Sequence, residues 1–229
     1  MSNTVPPRPL STSIGDYLKA IWAISGGGSA STKEISERLS VAPASVTNML
    51  RRLQEMGFVE YERYQGASLT EPGCKEALRL VRRHRLIETF LLEHLDYSWQ
   101  DVHEEAEQLE HAVSDHFTER LAKFLGNPTQ DPHGDPIPTA DGRLEPDNSF
   151  SLAGASVGQR VRIFKVSDGD ALMLDYLGDR GLVPGRLLTV REAREVDAVV
   201  TVEDEDGEVH TFGDSLARSV FVRSISGIK

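Results

Sequence analysis

The sequence predicts an α+β protein in three consecutive parts: helices with one short hairpin, then helices alone, then short strands. Three observations support this prediction. Apolar residues recur at helical spacing over residues 12–125. Apolar and polar residues alternate, as in strands, beyond residue 156. Between these patterns, residues 126–155 hold five prolines, which is typical of a linker or an ordered loop.

The composition is that of a globular protein, and it excludes several classes. Hydrophobic residues make up 39% and charged residues 27% of the 229 residues, so disorder is not expected. No apolar run approaches the roughly 18 residues of a membrane span, and the first ten residues lack a signal peptide's apolar segment. Cys74 is the only cysteine, which excludes an intramolecular disulfide and a cysteine-bound zinc site. We therefore expect a cytoplasmic protein without a membrane partner.

Residues 1–73 predict a winged helix–turn–helix domain. The first ten residues contain three prolines and predict a flexible arm. Apolar spacing, helix-start residues and stop glycines then predict three helices, and β-type runs around a tight turn predict a hairpin. The predicted helices are 13–24, 32–39 and 43–56, and the predicted strands are 58–61 and 68–70. A helix, a helix–turn–helix and a hairpin in this order are the layout of a winged helix–turn–helix.

The third predicted helix has an apolar face and a polar face. On a helical wheel, Val46 and Leu50 lie opposite Thr47, Asn48 and Arg51. Asparagine can pair with adenine and arginine with guanine when a helix of this kind enters the major groove. The alternative interpretation is an ordinary solvated face. The predicted DNA contacts, including basic residues placed for phosphates, are Lys33, Ala44, Ser45, Thr47, Asn48, Arg51, Arg52 and Arg63.

Charge is distributed unevenly along the chain, whose formal charge is −11. Residues 1–73 carry 7 basic and 7 acidic residues, while residues 74–128 have a net charge of −4 and residues 129–229 of −7. The neutral first part is therefore free to approach the DNA backbone. The acidic remainder favours a cationic partner.

Residues 74–128 predict a helical domain, followed by a linker over 129–155. The helices are expected at about 70–95, 99–113 and 114–126, and apolar residues on the first and third favour dimerisation. Residues 156–229 predict a small β-barrel of SH3 type. Its predicted elements are strands at 160–166, 186–191, 198–203 and 220–225, a helix at 170–178 and a hairpin turn at Asp206-Gly207.

Imidazoles and carboxylates share one face of the second helix predicted for the helical domain. On a wheel its four candidate ligands fall within about 100°, while Glu104 and Glu105 are most simply solvated. Imidazole and carboxylate without thiolate favour Mn²⁺ or Fe²⁺. The alternative is surface stabilisation by Glu–His pairs. The candidate ligands are His103, Glu107, Glu110 and His111 on this helix, His84 and Glu88 on the preceding one, and Asp16 on the first helix.

These motifs together resemble the diphtheria toxin repressor family of metal-dependent transcriptional repressors, from about residue 12 to residue 226. The resemblance implies an N-terminal DNA-binding domain, a helical metal-binding and dimerisation domain and an SH3-like third domain. The motifs are Asp16-Tyr17-Leu18, Ser45-Val46-Thr47, Arg83 to Glu88, Val102 to Asp115 and Asp131 to Pro138. The stretch 177–185 also resembles ferrous-transport accessory domains.

The resemblance implies two metal sites in each subunit. The regulatory site maps onto Asp16, Glu107, Glu110 and His111. The ancillary site maps onto His84, Glu88 and His103 with a carboxylate of the third domain, for which Asp168 is the candidate and Asp170 the rival.

Two positions favour manganese over iron. Iron-responsive members of the family carry methionine where this chain has Asp16 and cysteine where it has Glu107, and oxygen ligands suit the harder Mn²⁺. Two-domain manganese regulators use a glutamate where this chain has Lys19, and an ammonium cannot ligate, so their binuclear arrangement is not expected here. We therefore predict a Mn²⁺-dependent, homodimeric repressor that binds double-stranded operator DNA and controls manganese homeostasis genes.

The sequence is compatible with three alternative functions. The first is a repressor of the same architecture that senses Fe²⁺. The second is a metalloenzyme, which would need an open coordination position and a base such as Glu104, but no catalytic motif accompanies the ligands. The third is a winged-helix protein–protein module, which has no use for the histidine–carboxylate set. We predict neither enzymatic activity nor a small organic ligand.

Overall fold

The computed structural model describes residues 11–99, 101–194 and 199–225. These residues form two compact units. One unit comprises the residues up to 83 together with 110–113 and 138–143, and the other comprises 84–109, 114–137 and the residues from 144 on. The predicted arm at 1–10 and the first residue of the strand predicted at 198–203 lie outside the described residues. The domain boundaries predicted from the sequence stay a prediction.

The first unit contains the predicted helix, helix–turn–helix and hairpin. Its elements are α1 (Thr12–Ser25), α2 (Thr32–Leu39), α3 (Pro43–Glu55), β1 (Val59–Glu62), β2 (Gly66–Leu69) and the first half of α4 (Glu71–Leu95). Leu18, Ile21, Ile35, Leu50 and Leu53 are fully buried between these elements. The apolar spacing of the sequence therefore identified the core of this unit correctly.

Local sequence fixes the ends of these elements. The Ser31 hydroxyl accepts a hydrogen bond from the Glu34 backbone (3.2 Å), and the Glu34 carboxylate accepts one from the Ser31 backbone (2.8 Å), a complete capping box for α2. Pro43 begins α3 at the position where proline is best tolerated. Gly66 begins β2 with φ +96°, and a Cβ there would lie 2.6 Å from the Ala30 carbonyl oxygen. This glycine lets the hairpin pair with Ala30.

One helix predicted for the second unit differs from the structure. The helices of this unit are the second half of α4, α5 (Val102–Leu109) and α6 (Asp115–Phe124). The helix predicted over 99–113 is wrong at both ends. Ser98 and Asp101 form a side-chain hydrogen bond before α5 begins, and Ser114 caps α6 by accepting from the Phe117 backbone (3.2 Å). Glu110 and His111 therefore lie in a turn, and the helical wheel does not describe them.

The segment predicted as a linker contains ordered structure. The Asp131 carboxylate accepts hydrogen bonds from the backbones of His133 and Asp135 (both 2.9 Å). His133 is fully buried and stacks on Trp99. A Cβ on Gly134 would lie 2.1 Å from the Phe164 carbonyl oxygen, so glycine is required for this close approach.

The third part of the chain is a six-stranded antiparallel sheet. Its elements are β3 (Phe150–Ser151), a 3-10 turn (Leu152–Gly154), β4 (Arg160–Val166), α7 (Ala171–Gly178), β5 (Leu187–Arg194), β6 (Val199–Asp204), β7 (Val209–Phe212), α8 (Asp214–Ser219) and β8 (Val220–Ser224). The predicted strands and the helix are present, and the sequence analysis missed β3, β7 and α8.

The β-barrel of SH3 type predicted for residues 156–229 is confirmed only in part, because the strands are present but the sheet is open. Its strand order is β3–β8–β4–β5–β6–β7, which leaves β3 and β7 as edges. Strand β3 has only two residues, and α8 packs against both edge strands. A short helix therefore lies against both edge strands of the open sheet. No helix in the described part of the chain is both long and apolar enough to cross a membrane.

Candidate metal centres and DNA-binding face

Asp16, Glu110 and His111 bring their side chains together in the first unit. The Nε2 atom of His111 lies 2.7 Å from Asp16 Oδ1 and 3.3 Å from Glu110 Oε1. Each residue thus offers one nitrogen or oxygen atom to a common point. Asp16 comes from α1, and the other two come from the turn after α5. We call these three residues the first cluster.

A glycine allows α1 to approach the first cluster closely. Gly15 is buried beside Asp16, and a Cβ at this position would lie 3.0 Å from Cε1 of His111 and 2.7 Å from Cδ1 of Leu80. These distances are shorter than those of ordinary carbon contacts. Gly15 is therefore part of what positions the imidazole, and the sequence analysis did not identify it.

Glu110 is a fully buried carboxylate with a cationic partner. Lys19 of α1 donates from Nζ to both of its carboxylate oxygens, at 2.8 and 2.9 Å, and the side chain of Glu110 is 0% exposed. The hydrogen bond to Asp16 raises the pKa of His111, and the charges of Glu110 and Asp16 raise it further. The site therefore favours positive charge at its centre.

A second cluster lies in the second unit and consists of His84, Glu88 and His103. Glu88 Oε1 lies 2.8 Å from His84 Nε2 and 3.1 Å from His103 Nδ1. The two imidazole nitrogens are 3.2 Å apart. Three atoms that can each donate a lone pair therefore converge on one small volume, although they come from α4 and α5.

The electrostatics of Glu88 fit a bound cation. Burial by itself would raise the pKa of this carboxylate, but the charge of His84 and hydrogen bonds with His103 and His84 outweigh burial and lower it. Its second oxygen, Oε2, is buried without a hydrogen-bond partner among the described residues. A buried carboxylate with an unsatisfied oxygen is costly unless a cation or another donor compensates it. The second cluster therefore fits a divalent metal.

Two further carboxylates lie beside the second cluster. Asp168 Oδ2 is 3.5 Å from His103 Nδ1, and Glu107 Oε1 is 3.8 Å from His103 Nε2 and 4.0 Å from His84 Nδ1. Asp170, the rival of Asp168, instead caps α7 by accepting from the backbones of Leu172 and Met173. The geometry thus favours Asp168 over Asp170 as the carboxylate from the third part of the chain.

Both clusters contain the donor types of hard divalent cations. Every donor atom named above is an imidazole nitrogen or a carboxylate oxygen. Such sets suit Mn²⁺ and Fe²⁺ better than the soft metals that thiolates select.

The residues predicted to contact DNA lie on the surface of the first unit. Ala44, Ser45, Asn48, Arg51 and Arg52 are exposed on α3, whereas Val46, Leu50 and Leu53 point into the core. Lys33 is exposed on α2, and Arg63 is exposed in the hairpin. These positions are those that a recognition helix and wing require.

Two details of this face were not anticipated. Thr47 is half-buried, and its hydroxyl donates to the Pro43 carbonyl (3.1 Å). Tyr64 at the hairpin tip is 89% exposed with φ +71°, and the Arg63 guanidinium lies 4.8 Å from the centre of its ring. The sequence signal for an exposed Tyr64 was its position among the turn residues 63–66 of the predicted hairpin.

Aromatic side chains are exposed on the helices of the second unit. Phe117 and Phe124 of α6 are 46% and 64% exposed, and Phe90 of α4 packs edge-on against Phe124. Together with Leu121 they line a groove. Exposed apolar surface of this kind is typical of protein–protein contact.

Comparison with known proteins covers all three parts of the chain. Residues 9–67 match the N-terminal DNA-binding domain of iron-dependent repressors, residues 70–139 their metal-binding and dimerisation domain, and residues 150–224 the FeoA domain. The chain is 31% identical to the iron-dependent repressor IdeR of Mycobacterium bovis over 187 residues, which are 76% of this chain and 81% of IdeR.

Similarity extends to manganese regulators. The chain is 36% identical to the HTH-type transcriptional regulator MntR of Lysinibacillus sphaericus over 114 residues. These residues are 49% of this chain and 81% of MntR. A solved structure described as a manganese-dependent transcriptional repressor complex with manganese superposes with a TM-score of 0.87 at 38% identity. That match covers 93% of this chain and 100% of the other.

Proposed function

The chain belongs to the diphtheria toxin repressor family of metal-dependent transcriptional repressors, which are not enzymes, and we propose that it is a cytoplasmic homodimer activated by Mn²⁺. In this proposal the metal-loaded dimer binds operator DNA and controls manganese homeostasis genes. Relatives include both iron-dependent and manganese-dependent repressors. An Fe²⁺-dependent repressor of the same architecture is therefore the second candidate.

One observation supports manganese most directly, and it is the carboxylate of Asp16. One carboxylate oxygen of Asp16 lies 2.7 Å from His111, and the family resemblance implies a methionine at this position in iron-responsive members. The same resemblance implies a cysteine in place of Glu107. Exchange of two sulfur ligands for two oxygen ligands favours the harder Mn²⁺ over Fe²⁺.

The regulatory ion in this proposal is held by Asp16, Glu110 and His111. Glu107, whose carboxylate lies 3.8 Å from His103 Nε2 in the structure, is the fourth proposed ligand. A bound divalent cation supplies positive charge and a fixed coordination geometry. Asp16 belongs to α1 of the winged-helix fold, whereas Glu110 and His111 follow α5. These side chains therefore couple α1 to the turn after α5 when they share one ion, and they stabilise one arrangement of the DNA-binding helices.

His84, Glu88 and His103 hold the ancillary ion in this proposal, with Asp168 as a further ligand. The distances of 2.8–3.5 Å between their donor atoms support this set. Asp168 precedes α7, so it connects the sheet-bearing part of the chain to the ligands on α4 and α5.

The groove between Phe90, Phe117 and Phe124 supports homodimerisation. Exposed aromatic side chains are enriched at the centres of protein interfaces. The segment lies within the residues that match a dimerisation domain. A symmetric dimer places its two recognition helices in successive major grooves.

Loss of a base contact tests the DNA-binding face. We expect Asn48→Ala and Arg51→Ala each to weaken operator binding by about 1–3 kcal/mol, or roughly 5- to 150-fold, because each removes a bidentate base contact. Fluorescence anisotropy of labelled operator DNA in excess Mn²⁺ measures the change. Arg143→Ala, an exposed arginine outside this face, is the control. Unchanged affinity in both α3 variants would contradict the assignment of the recognition helix.

The ancillary site is tested by Glu88→Gln. We expect this variant to lower the bound Mn²⁺ from two ions per chain to one, because it removes the charge that both imidazoles share. Electron paramagnetic resonance of free Mn²⁺ counts the bound ions. Glu104→Gln on the exposed face of α5 is the matched control and should retain two. Two ions bound by Glu88→Gln would place the second ion elsewhere.

Selection of genomic DNA by the purified protein tests the proposed function as a whole. The selection is carried out in Mn²⁺, in anaerobic Fe²⁺ and in chelator. Enrichment of fragments in Mn²⁺ that is lost in chelator and weaker in Fe²⁺ supports the manganese repressor. Equal or stronger enrichment in Fe²⁺ would favour the iron repressor, and no enrichment under any condition would contradict DNA binding.

A further inference from the structure

Lys19 lies beside the first cluster, and a role as metal ligand does not explain its presence there. Its ammonium donates to both oxygens of Glu110, at 2.8 and 2.9 Å. Glu110 is fully buried, and Lys19 is 18% exposed. The contact joins residues 91 positions apart in the chain. An ammonium cannot ligate a metal, yet it contacts a carboxylate that is proposed to do so.

The position of Lys19 on α1 places it beside a second proposed ligand. Lys19 follows Asp16 by three residues, so both side chains leave the same face of the helix. Asp16 contacts His111, and His111 Nε2 lies 3.3 Å from Glu110 Oε1. The ammonium is therefore part of the same cluster of charges, although its own charge has the sign of the metal.

Two physical effects make this ammonium unfavourable for metal binding at Glu110. It uses the lone pairs of Glu110 that a metal would share, and it repels any cation within a few ångströms. In the absence of a metal, the same ammonium compensates a buried carboxylate that would otherwise be strongly destabilising. Lys19 therefore stabilises the metal-free site and disfavours the metal-bound one.

We propose that Lys19 is a built-in competitor of the regulatory metal and sets the metal concentration at which the protein responds. The inference rests on the proposed function, because it takes Asp16, Glu110 and His111 as the regulatory ligands. The flexible four-carbon stem and partial exposure of Lys19 let the ammonium move toward solvent when Glu110 is shared. The chain carries its own cation at the site and responds only when a divalent ion outcompetes it.

A simpler role for Lys19 is to orient Glu110 for the metal. The two roles predict opposite signs for the same measurement. If Lys19 only orients Glu110, its removal weakens metal binding. If it competes with the metal, its removal strengthens metal binding and at the same time destabilises the metal-free protein.

Lys19→Met tests the proposal, because methionine keeps the unbranched chain and removes the charge. The regulatory site is isolated in a His103→Ala background, and Mn²⁺ affinity is measured from the resonance of free Mn²⁺. We expect Lys19→Met to bind Mn²⁺ about tenfold or more tightly. We also expect a lower Tm for the metal-free protein and a larger rise in Tm on addition of Mn²⁺. Lys75→Met removes the same charge from an exposed position on α4 and should change none of these quantities.

Lys19→Gln is the second variant, since a neutral amide still donates a hydrogen bond to Glu110. It should also bind Mn²⁺ more tightly than the unsubstituted protein, and it keeps the test valid if Lys19→Met does not fold. Affinities within twofold of the unsubstituted protein, or weaker binding in the folded variants, would overturn the proposal. Failure of the proposed function gives a different result, because the protein with Lys19 would then bind no Mn²⁺ that depends on His111.

Discussion

The His111→Ala variant is expected to lose Mn²⁺-dependent DNA binding while its DNA-binding fold stays intact. His111 is the nitrogen donor of the first cluster, within 2.7 Å of Asp16 and 3.3 Å of Glu110. Without it, the cluster retains only the carboxylates of Asp16 and Glu110, and the Lys19 ammonium still contacts Glu110. Loss of residues that merely support metal ligands costs 10- to 100-fold in affinity, so loss of the ligand itself should cost at least about 100-fold.

Two measurements check this expectation together. Circular dichroism checks that His111→Ala is folded. The hydrophobic core of the first unit contains Leu18, Ile21 and Leu50 and does not include His111. Anisotropy of labelled operator DNA across a Mn²⁺ titration then measures activation. Gln108→Ala, an exposed neighbour on α5, should behave as the unsubstituted protein. Operator binding by His111→Ala that still rises with Mn²⁺ in the same concentration range would contradict the assignment of the regulatory site.

The double variant Asp16→Met with Glu107→Cys is expected to respond to Fe²⁺ in preference to Mn²⁺. It converts two proposed oxygen ligands into softer sulfur ligands, which disfavour Mn²⁺. The ratio of the half-activating concentrations of Mn²⁺ and anaerobic Fe²⁺ should shift by about tenfold or more toward iron. Since the substitutions lie at proposed metal ligands and not on the DNA-binding face, affinity for operator DNA at saturating metal should change little.

A cysteine at another position on α5 provides the control for this exchange. Glu104→Cys places the same sulfur on the exposed side of α5, where it should leave the metal preference unchanged. An unchanged metal profile in the double variant would show that the two positions do not set selectivity. A shift toward iron in both proteins would mean that any added thiol captures Fe²⁺, which would also defeat the argument.

The winged-helix part of the fold was predictable because its signals are local. Ser31 and Glu34 form a capping box that the sequence displays at the correct spacing. Pro43 and Gly57 mark the ends of α3, where Gly57 has φ +78°. Apolar residues at helical spacing identified the buried side of α3. Each of these signals acts within a few residues, so no knowledge of the tertiary structure was needed.

The helix predicted at 99–113 was only partly predictable. Periodicity placed His103, Glu107, Glu110 and His111 on one face of a helix that continues to residue 113. The cap at Ser114 begins a new helix instead, and it forces a turn at 110–113. Periodic spacing alone does not distinguish one long helix from two helices joined by a turn.

The ion pair between Lys19 and Glu110 could not be predicted from the sequence. It joins residues 91 positions apart, and neither local propensity nor spacing relates them. The sequence showed only that Lys19 stands where an ammonium cannot ligate. The open C-terminal sheet was not predicted either. Helix α8 contacts both edge strands, but a helix of six residues gives only a weak periodic signal in the sequence.

We expect metal binding at Asp16, Glu110 and His111 to be coupled to DNA binding, and reciprocity tests this coupling most directly. Coupling free energy is shared by both ligands, so operator DNA must raise Mn²⁺ affinity by the factor by which Mn²⁺ raises operator affinity. The decisive measurement is the Mn²⁺ affinity of the regulatory site with and without operator DNA. We predict tighter Mn²⁺ binding in the presence of DNA, by the same factor that Mn²⁺ gives for DNA, and loss of this difference in His111→Ala. Equal Mn²⁺ affinity with and without operator DNA would contradict the account.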